Sequence, residues 1–245
     1  MATFEEVTDP LVQILTPVPA AGAGICDVCH RAPNAGYQRC YSCSEVMRQV
    51  THPVSLVVPI SLYRVGEQLH TVLRGYKDNP VAAVRDRFTQ QVGGFLGRFL
   101  RDHGECIRAA PPGTWDCIVA VPSGHRRIGP HPLSRAFGLI RGMDVPLLDC
   151  LTPSGEVVEH KRASDGAFVA SPIVAGLRVL LVDDTYTSGA SIQSAGTCLT
   201  LAGANVVAAV VIGRVIDPDF NAENALLWKT SVAAGFNFET CCLEG

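Results

Sequence analysis

Apolar positions along the chain follow two alternating periods. Pro53 to Ser61 is a continuous β-rich apolar run and predicts a strand. From Val81 to Asp102 the pattern changes. Val84, Phe88, Val92, Phe95, Leu96 and Phe99 recur at steps of three and four, which predicts a helix with one buried face. Trp115 to Val121 predicts a short strand, Leu133 to Gly142 a helix and Pro146 to Leu151 another short strand. Leu177 to Val182 is an apolar strand, Ser191 to Ala202 a helix stopped by Gly203, and Val206 to Ile212 a further buried strand. Val65 to Leu73 is ambiguous between a strand, a hairpin and a helix. Glu156 to Ser171 is polar and aperiodic, and reads as a mobile loop. Strands alternating with helices predict an α/β fold, a parallel sheet flanked by helices.

Composition fits that class. With 245 residues and 47% hydrophobic content the chain can bury one sizeable core and carry a small extra module. The net charge of −3 gives no support for holding nucleic acid by bulk charge. No segment reaches the roughly 18 to 20 apolar residues that span a bilayer. Glu5, Glu6 and Asp9 stand where a signal peptide would carry positive charge. No membrane association and a cytoplasmic location are therefore expected.

The ten cysteines divide by spacing. Cys26-Asp-Val-Cys29 and Cys40-Tyr-Ser-Cys43 form two CxxC pairs separated by a loop with Pro33, Asn34 and Gly36. Four soft thiolates presented from two tight turns suit a tetrahedral structural zinc site with no open position. Two unrelated turns, or a redox pair, are the alternatives, and the βαβ context of a thioredoxin-like pair is missing. His30 reads as an exposed loop residue. Cys106, Cys117, Cys150 and Cys198 read as core thiols, and Cys241 and Cys242 are unassigned. These observations divide the chain into a zinc-binding module at 22–48, a main domain at 53–215 and a C-terminal extension at 216–245.

The most informative segment begins in the strand that ends Val182-Asp183-Asp184 and continues Thr185-Tyr186-Thr187-Ser188-Gly189-Ala190-Ser191. In open α/β sheets ligands bind beyond the carboxyl ends of the strands. Hydroxyls, backbone N–H groups and a helix N-terminus converging there make a phosphate site. Two carboxylates just upstream would repel a phosphate but suit a neighbouring diol or metal ion. A diol beside a phosphate describes a ribose 5-phosphate. An ordinary strand-to-helix turn explains one acidic residue, not two.

This segment resembles the motif of type I phosphoribosyltransferases that binds 5-phosphoribosyl 1-pyrophosphate (PRPP). The resemblance implies that Asp183 and Asp184 hold the ribose hydroxyls, with Thr185 beside them, and that Thr187, Ser188, Gly189, Ala190 and Ser191 hold the 5′-phosphate. The four-cysteine segment, the Val-Pro-ended strand and Arg162-Ala-Ser-Asp-Gly166-Ala-Phe168 together resemble the ComF-like branch, labelled amidophosphoribosyltransferase-like and linked to DNA uptake. In that family a second loop holds pyrophosphate. Ser123, Gly124, His125 and Arg126 are the candidates here, with Lys161 and Arg162 closing from the polar loop. Gly129-Pro-His131-Pro-Leu133 departs from the branch's usual stretch, which leaves the acceptor unassigned.

The resemblance thus implies transfer of a phosphoribosyl group from PRPP, with Mg²⁺, to an unknown nitrogenous acceptor. No general acid or base is identified. A non-catalytic PRPP-binding protein, docking through its zinc module onto a DNA-processing protein partner, is the rival, and nucleic-acid contact through Arg31, Arg39 and Arg48 a third reading. A homodimer is left open. Because the cysteine site is closed and distant in sequence, removal of residues 1–50 is expected to leave PRPP affinity within about tenfold.

Overall fold

The computed structural model describes residues 3–111, 113–123, 131–140, 145–159 and 161–244. A short helix α1 (Phe4–Thr8) is capped by Thr3, whose hydroxyl accepts the Glu6 N–H while the Glu6 carboxylate accepts the Thr3 N–H. Helix α2 (Tyr41–Met47) follows the cysteine loop. Then come β1 (Val57–Tyr63), α3 (Gln68–Asp78), α4 (Ala82–Ala109), β2 (Cys117–Ala120), α5 (Pro132–Phe137) and β3 (Leu147–Leu148). The two short strands β4 (Leu151–Pro153) and β5 (Phe168–Ala170) pair antiparallel, as a ribbon outside the main sheet. The chain continues through β6 (Arg178–Tyr186), α6 (Ala190–Leu201), β7 (Asn205–Val215) and α7 (Ala222–Ala234).

Among the described residues the main sheet has five parallel strands in the order β1-β7-β6-β2-β3. The expected parallel sheet flanked by helices is therefore present. All its strands point the same way, so their carboxyl ends share one edge. Side-chain alternation divides the core between two faces. Leu180 and Val182 of β6 meet α3 and α4 through Tyr76, Val92 and Phe95. Val179 and Leu181 of the same strand face α6 and the four cysteines.

Several boundaries differ from the sequence reading, for physical reasons. The ambiguous stretch after β1 is helix α3, whose Leu69, Val72, Leu73 and Tyr76 recur at helical spacing and are buried. Strand β6 extends four residues past the apolar run, because β7 pairs with it as far as Tyr186. Polar side chains at a strand end do not stop a ladder that a long neighbour continues. The second half of the polar loop is tied down. Ala163 N–H donates to Gln49 Oε1 at 2.7 Å and Ser164 N–H to Ser194 Oγ at 3.0 Å. The Asp165 carboxylate accepts from Thr51 N–H at 3.0 Å and from the Thr197 hydroxyl at 3.1 Å. His30 is a correction too. It is buried, at positive φ, with Nδ1 2.8 Å from the Pro19 carbonyl.

Close approach fixes the packing of α4. A Cβ built on Gly93 would lie 2.7 Å from the backbone carbonyl of Ala136 on α5. At an exposed helix site Gly→Ala stabilises by up to about 1 kcal/mol. Gly93→Ala is expected to do the opposite and cost about 1–3 kcal/mol through forced separation of α4 and α5. Urea unfolding of the variant beside the parent measures this.

Candidate functional site

The carboxyl edge of the sheet gathers the acidic pair, the hydroxyl loop and the cysteines. Asp183 and Asp184 lie on opposite faces of β6, and their environments differ. Asp184 is 2% exposed. Its Oδ2 accepts the Tyr76 hydroxyl at 2.5 Å and forms an ion pair with Lys77. Both partners come from α3, and neither was singled out as a functional residue in the sequence. Their signal was faint: a tyrosine at a helical core position followed by one of only three lysines in the chain.

Asp183 is half-buried, and its Oδ1 accepts the Asp184 N–H at 2.8 Å. Burial, and then the neighbouring Asp184 charge, push its carboxyl well above the usual aspartate range, against the pull of Lys77. The hydroxyl of Thr185 bonds the Tyr63 phenol, which burial pushes up to about 12.

Beyond Tyr186 the backbone turns at Gly189, with φ of +91°. A Cβ there would also fall 2.1 Å from the Tyr186 hydroxyl, so both backbone conformation and space require glycine. The Ser188 hydroxyl accepts the Ala190 N–H at 3.3 Å. Gln193 N–H donates to the Gly189 carbonyl at 2.9 Å. The amides of Ser191 and Ile192 precede that bond, at the positive end of α6. Thr187 and Ser191 are exposed. Thr187, Ser188, Gly189, Ala190 and Ser191 thus form one continuous rim.

Cys26, Cys29, Cys40 and Cys43 are all buried, with their sulfurs within 4.8 Å of one another. Cys29 and Cys40 Sγ are 3.6 Å apart. Sulfurs at the corners of a tetrahedron about 2.3 Å from a zinc ion would be roughly 3.8 Å apart, so the set fits such a metal. Burial pushes the Cys29 thiol up, but hydrogen bonds from Cys26, Cys40 and Cys43 and the charge of Arg214 bring it well down. Against an opposing contact from Cys29, hydrogen bonds from Cys40 and Cys43 bring Cys26 down to about 6.

The cysteine cluster lies directly behind the hydroxyl loop. Cys43 Sγ is 3.3 Å from the Tyr186 hydroxyl. Burial, then the charges of Cys43 and Cys29, push that phenol well up. Arg214, 1% exposed, stacks its guanidinium 5.0 Å from the Tyr186 ring centroid. Its Nη1 donates to the carbonyls of Tyr186 at 3.1 Å, Thr187 at 2.9 Å and Val215 at 2.7 Å. Its Nε and Nη2 are buried without a hydrogen-bond partner among the described residues. A buried cation in that condition needs an anion nearby. Four thiolates around a divalent ion carry a net charge of −2 and supply it.

On the outer side, Ala163 of the polar loop packs with Val46 and Val50, next to the cysteine segment, and against Ala190 at the start of α6. This contact carries Lys161 and Arg162 close to the rim. Lys161 adopts positive φ, and Arg162 is exposed, with its Nε 3.8 Å from Glu159. Ser123 follows β2 on the same edge, while Gly124, His125 and Arg126 lie outside the described residues.

No family model matches the chain, and no curated protein matches it. Solved structures do. It is similar to orotate phosphoribosyltransferase of Mycobacterium tuberculosis in complex with inorganic phosphate, at 15% identity over 71% of this chain and 73% of that one, with a TM-score of 0.37. A phosphoribosyltransferase from Corynebacterium diphtheriae matches at 16% identity over 77% and 86%, with a TM-score of 0.33. The allosteric regulatory enzyme of purine biosynthesis matches at 20% identity over 50% of this chain and 26% of that one, with a TM-score of 0.28. At these TM-scores the superpositions place no residue of this chain. No helix among the described residues is long and apolar enough to cross a membrane.

Arg214 is the positioning residue behind the rim. Arg214→Met removes the counter-charge of the thiolates and three hydrogen bonds to loop and strand carbonyls. It is expected to cost about 3 kcal/mol and to weaken metal retention. Urea unfolding and competition with a chelator read the two effects separately.

Proposed function

We propose that the chain binds PRPP together with Mg²⁺ and transfers its phosphoribosyl group to a nitrogen nucleophile, releasing pyrophosphate. The observation that carries this reading is the succession on one strand-to-helix turn: two carboxylates in unlike environments, an obligatory αL glycine, then hydroxyls and a helix N-terminus. The rim from Thr187 to Ser191 holds the 5′-phosphate through backbone amides and hydroxyls. Asp183 and Asp184 take the ribose diol. Asp184 is held by Tyr76 and Lys77, whereas the raised pKa of Asp183 favours ionisation only when a cation faces it.

Bound with the substrate, Mg²⁺ neutralises charge that builds on the departing pyrophosphate. Ser123 and the loop that follows it, with Lys161 and Arg162, supply the protein's contacts to that group. The bond from C1 to the pyrophosphate oxygen breaks, positive charge spreads over C1 and the ring oxygen, and the nucleophile's nitrogen lone pair forms the new bond. Basic side chains aimed at the leaving group act where charge develops. Arg31, Arg39 and Arg48, the basis of the nucleic-acid reading, are engaged within the chain by Asn224, Asp27 and Glu45.

Calorimetry of the full chain with PRPP and Mg²⁺ is expected to show one binding event per chain. A panel of bases and amines then identifies the acceptor by pyrophosphate release. Absence of PRPP binding at millimolar concentration would overturn the proposal.

The acidic pair gives a sharper expectation. An aspartate whose folded pKa is raised contributes stability below its unfolded value near 3.8, and loses it as pH rises through the folded value. At neutral pH, Asp183→Asn is therefore expected to stabilise the unliganded protein, by about 1 kcal/mol, while reducing PRPP affinity at least tenfold, about 1.4 kcal/mol. Thermal unfolding and calorimetry on the same sample test both signs.

The cysteine segment also changes the outcome expected for truncation. It packs against Tyr186, Ala163 and Ala190, all at the site. Deleting residues 1–50 is expected to abolish PRPP binding rather than leave it within tenfold. Retained affinity in a soluble truncated chain would refute this brace.

A further inference from the structure

A second cluster of ligand-type side chains sits at the other end of the molecule from the hydroxyl rim, and nothing in the proposed chemistry uses it. His103 and Cys106 lie one turn apart on the C-terminal half of α4. Cys241 and Glu244 lie three residues apart in the C-terminal tail. One donor atom from each of the four falls within 4.8 Å of the others. Cys106 Sγ is 3.7 Å from His103 Nδ1 and 3.3 Å from Glu244 Oε1. His103 Nδ1 is 3.3 Å from Glu244 Oε2. Ligands about 2.0–2.3 Å from a tetrahedral zinc ion are separated by roughly 3.3–3.8 Å; the His103, Cys106 and Glu244 contacts fall in that range, and a Cys241 donor lies within 4.8 Å of the other three.

The orientation of the histidine adds independent support. His103 is 2% exposed, and its Nε2 lies 3.0 Å from the Phe238 carbonyl. The carbonyl can only accept, so Nε2 carries a proton, and Nδ1 is the ring nitrogen that faces Cys106 and Glu244. Metal-binding histidines are held in this way by a backbone carbonyl on the far nitrogen. The tail is shaped to match. Glu244 Oε2 accepts the Cys241 N–H at 2.8 Å, and Glu244 N–H donates to the Cys241 carbonyl at 3.1 Å, which closes a turn that brings both side chains to one side. A cavity of about 250 Å³, lined in part by Pro17, Phe236, Cys241 and Glu244, gives access from solvent.

We propose that His103, Cys106, Cys241 and Glu244 form a second metal centre, a zinc site that staples the C-terminal tail to α4. Two thiolates, one imidazole and one carboxylate make a borderline-soft tetrahedral set. Four protein ligands leave no open position, so its role is structural. The reading of Cys106 as a core thiol is corrected accordingly: it is partly exposed and faces three other donors.

The test compares the full chain with Cys241→Ser and with Glu244→Gln, each reduced, loaded with zinc and dialysed. The parent is expected to hold about one zinc equivalent more than Cys241→Ser, whatever the first cluster holds. Cobalt substitution provides a second readout. Cys241→Ser should remove part of the sulfur-to-cobalt charge-transfer absorption and leave the rest, and Glu244→Gln should shift the ligand-field bands. A chelator should lower the melting temperature of the parent more than that of Cys241→Ser. Equal zinc content and unchanged cobalt spectra in parent and variants would overturn the proposal. So would a Cys106–Cys241 disulfide in the purified protein together with no second zinc after reduction.

Discussion

The buried guanidinium of Arg214 is the constraint on which the site's geometry depends. It is placed at the end of β7 in register with Tyr186, so the sheet itself delivers it to the turn between β6 and α6. One of its nitrogens collects three carbonyls, and its charge lies within electrostatic reach of Cys29, Cys43 and Cys40. Neither neighbour is indifferent to the other. Without the thiolates the arginine is a desolvated cation with unpaired N–H groups. Without the arginine, the thiolate cluster lacks its nearest buried counter-charge. The cysteine segment and the hydroxyl loop are therefore two sides of one electrostatic arrangement, though roughly 140 residues separate them in the chain.

The acidic pair shows where stability yields to binding. Ionising Asp183 beside Asp184 is unfavourable, and Gly189 is held in a conformation that ordinary residues avoid. Glycine meets that conformation without strain, so the unfavourable element here is the acidic pair. Asp184 is the opposite case, neutralised by Lys77 and clamped by Tyr76 from α3. One carboxylate is paired with a cation of α3, and the other carries the cost of burial beside a like charge. That asymmetry is specific to the tertiary structure, since the two residues are identical and adjacent in sequence.

Much of this was legible in the sequence because it depends on local pattern. The long helix α4, the apolar interiors of β1, β6 and β7, and the turn at Gly189 each leave a periodic or compositional trace. The four cysteines were legible because tight CxxC turns preorganise ligands without help from the rest of the chain. Other features depend on partners distant in sequence and leave no such trace. Tyr76 and Lys77 lie in a stretch too short and too mixed to separate helix from strand. His30 looks like a loop residue until the Pro19 carbonyl is seen over its ring nitrogen. Arg214 follows the apolar run of β7, where a lone arginine usually signals the strand's emergence into solvent. The surroundings of Cys106 depend on Cys241 and Glu244, which are remote from it in sequence.

Peptide geometry explains how a charge buried behind the loop acts on a ligand in front of it. In a trans peptide the carbonyl of one residue and the N–H of the next point in opposite directions. Turning the Tyr186 and Thr187 carbonyls towards Arg214 therefore turns the N–H groups of Thr187 and Ser188 away from it, towards the open rim. On the proposed reading, a phosphate at the rim would meet a loop held from behind by a guanidinium that does not itself belong to the rim. A lysine could supply the charge and three donors on one nitrogen, but not the planar guanidinium that stacks on the Tyr186 ring. The proposed anion binding at this turn would therefore depend on the state of the cysteine cluster, which contacts the turn through Cys43 and Tyr186.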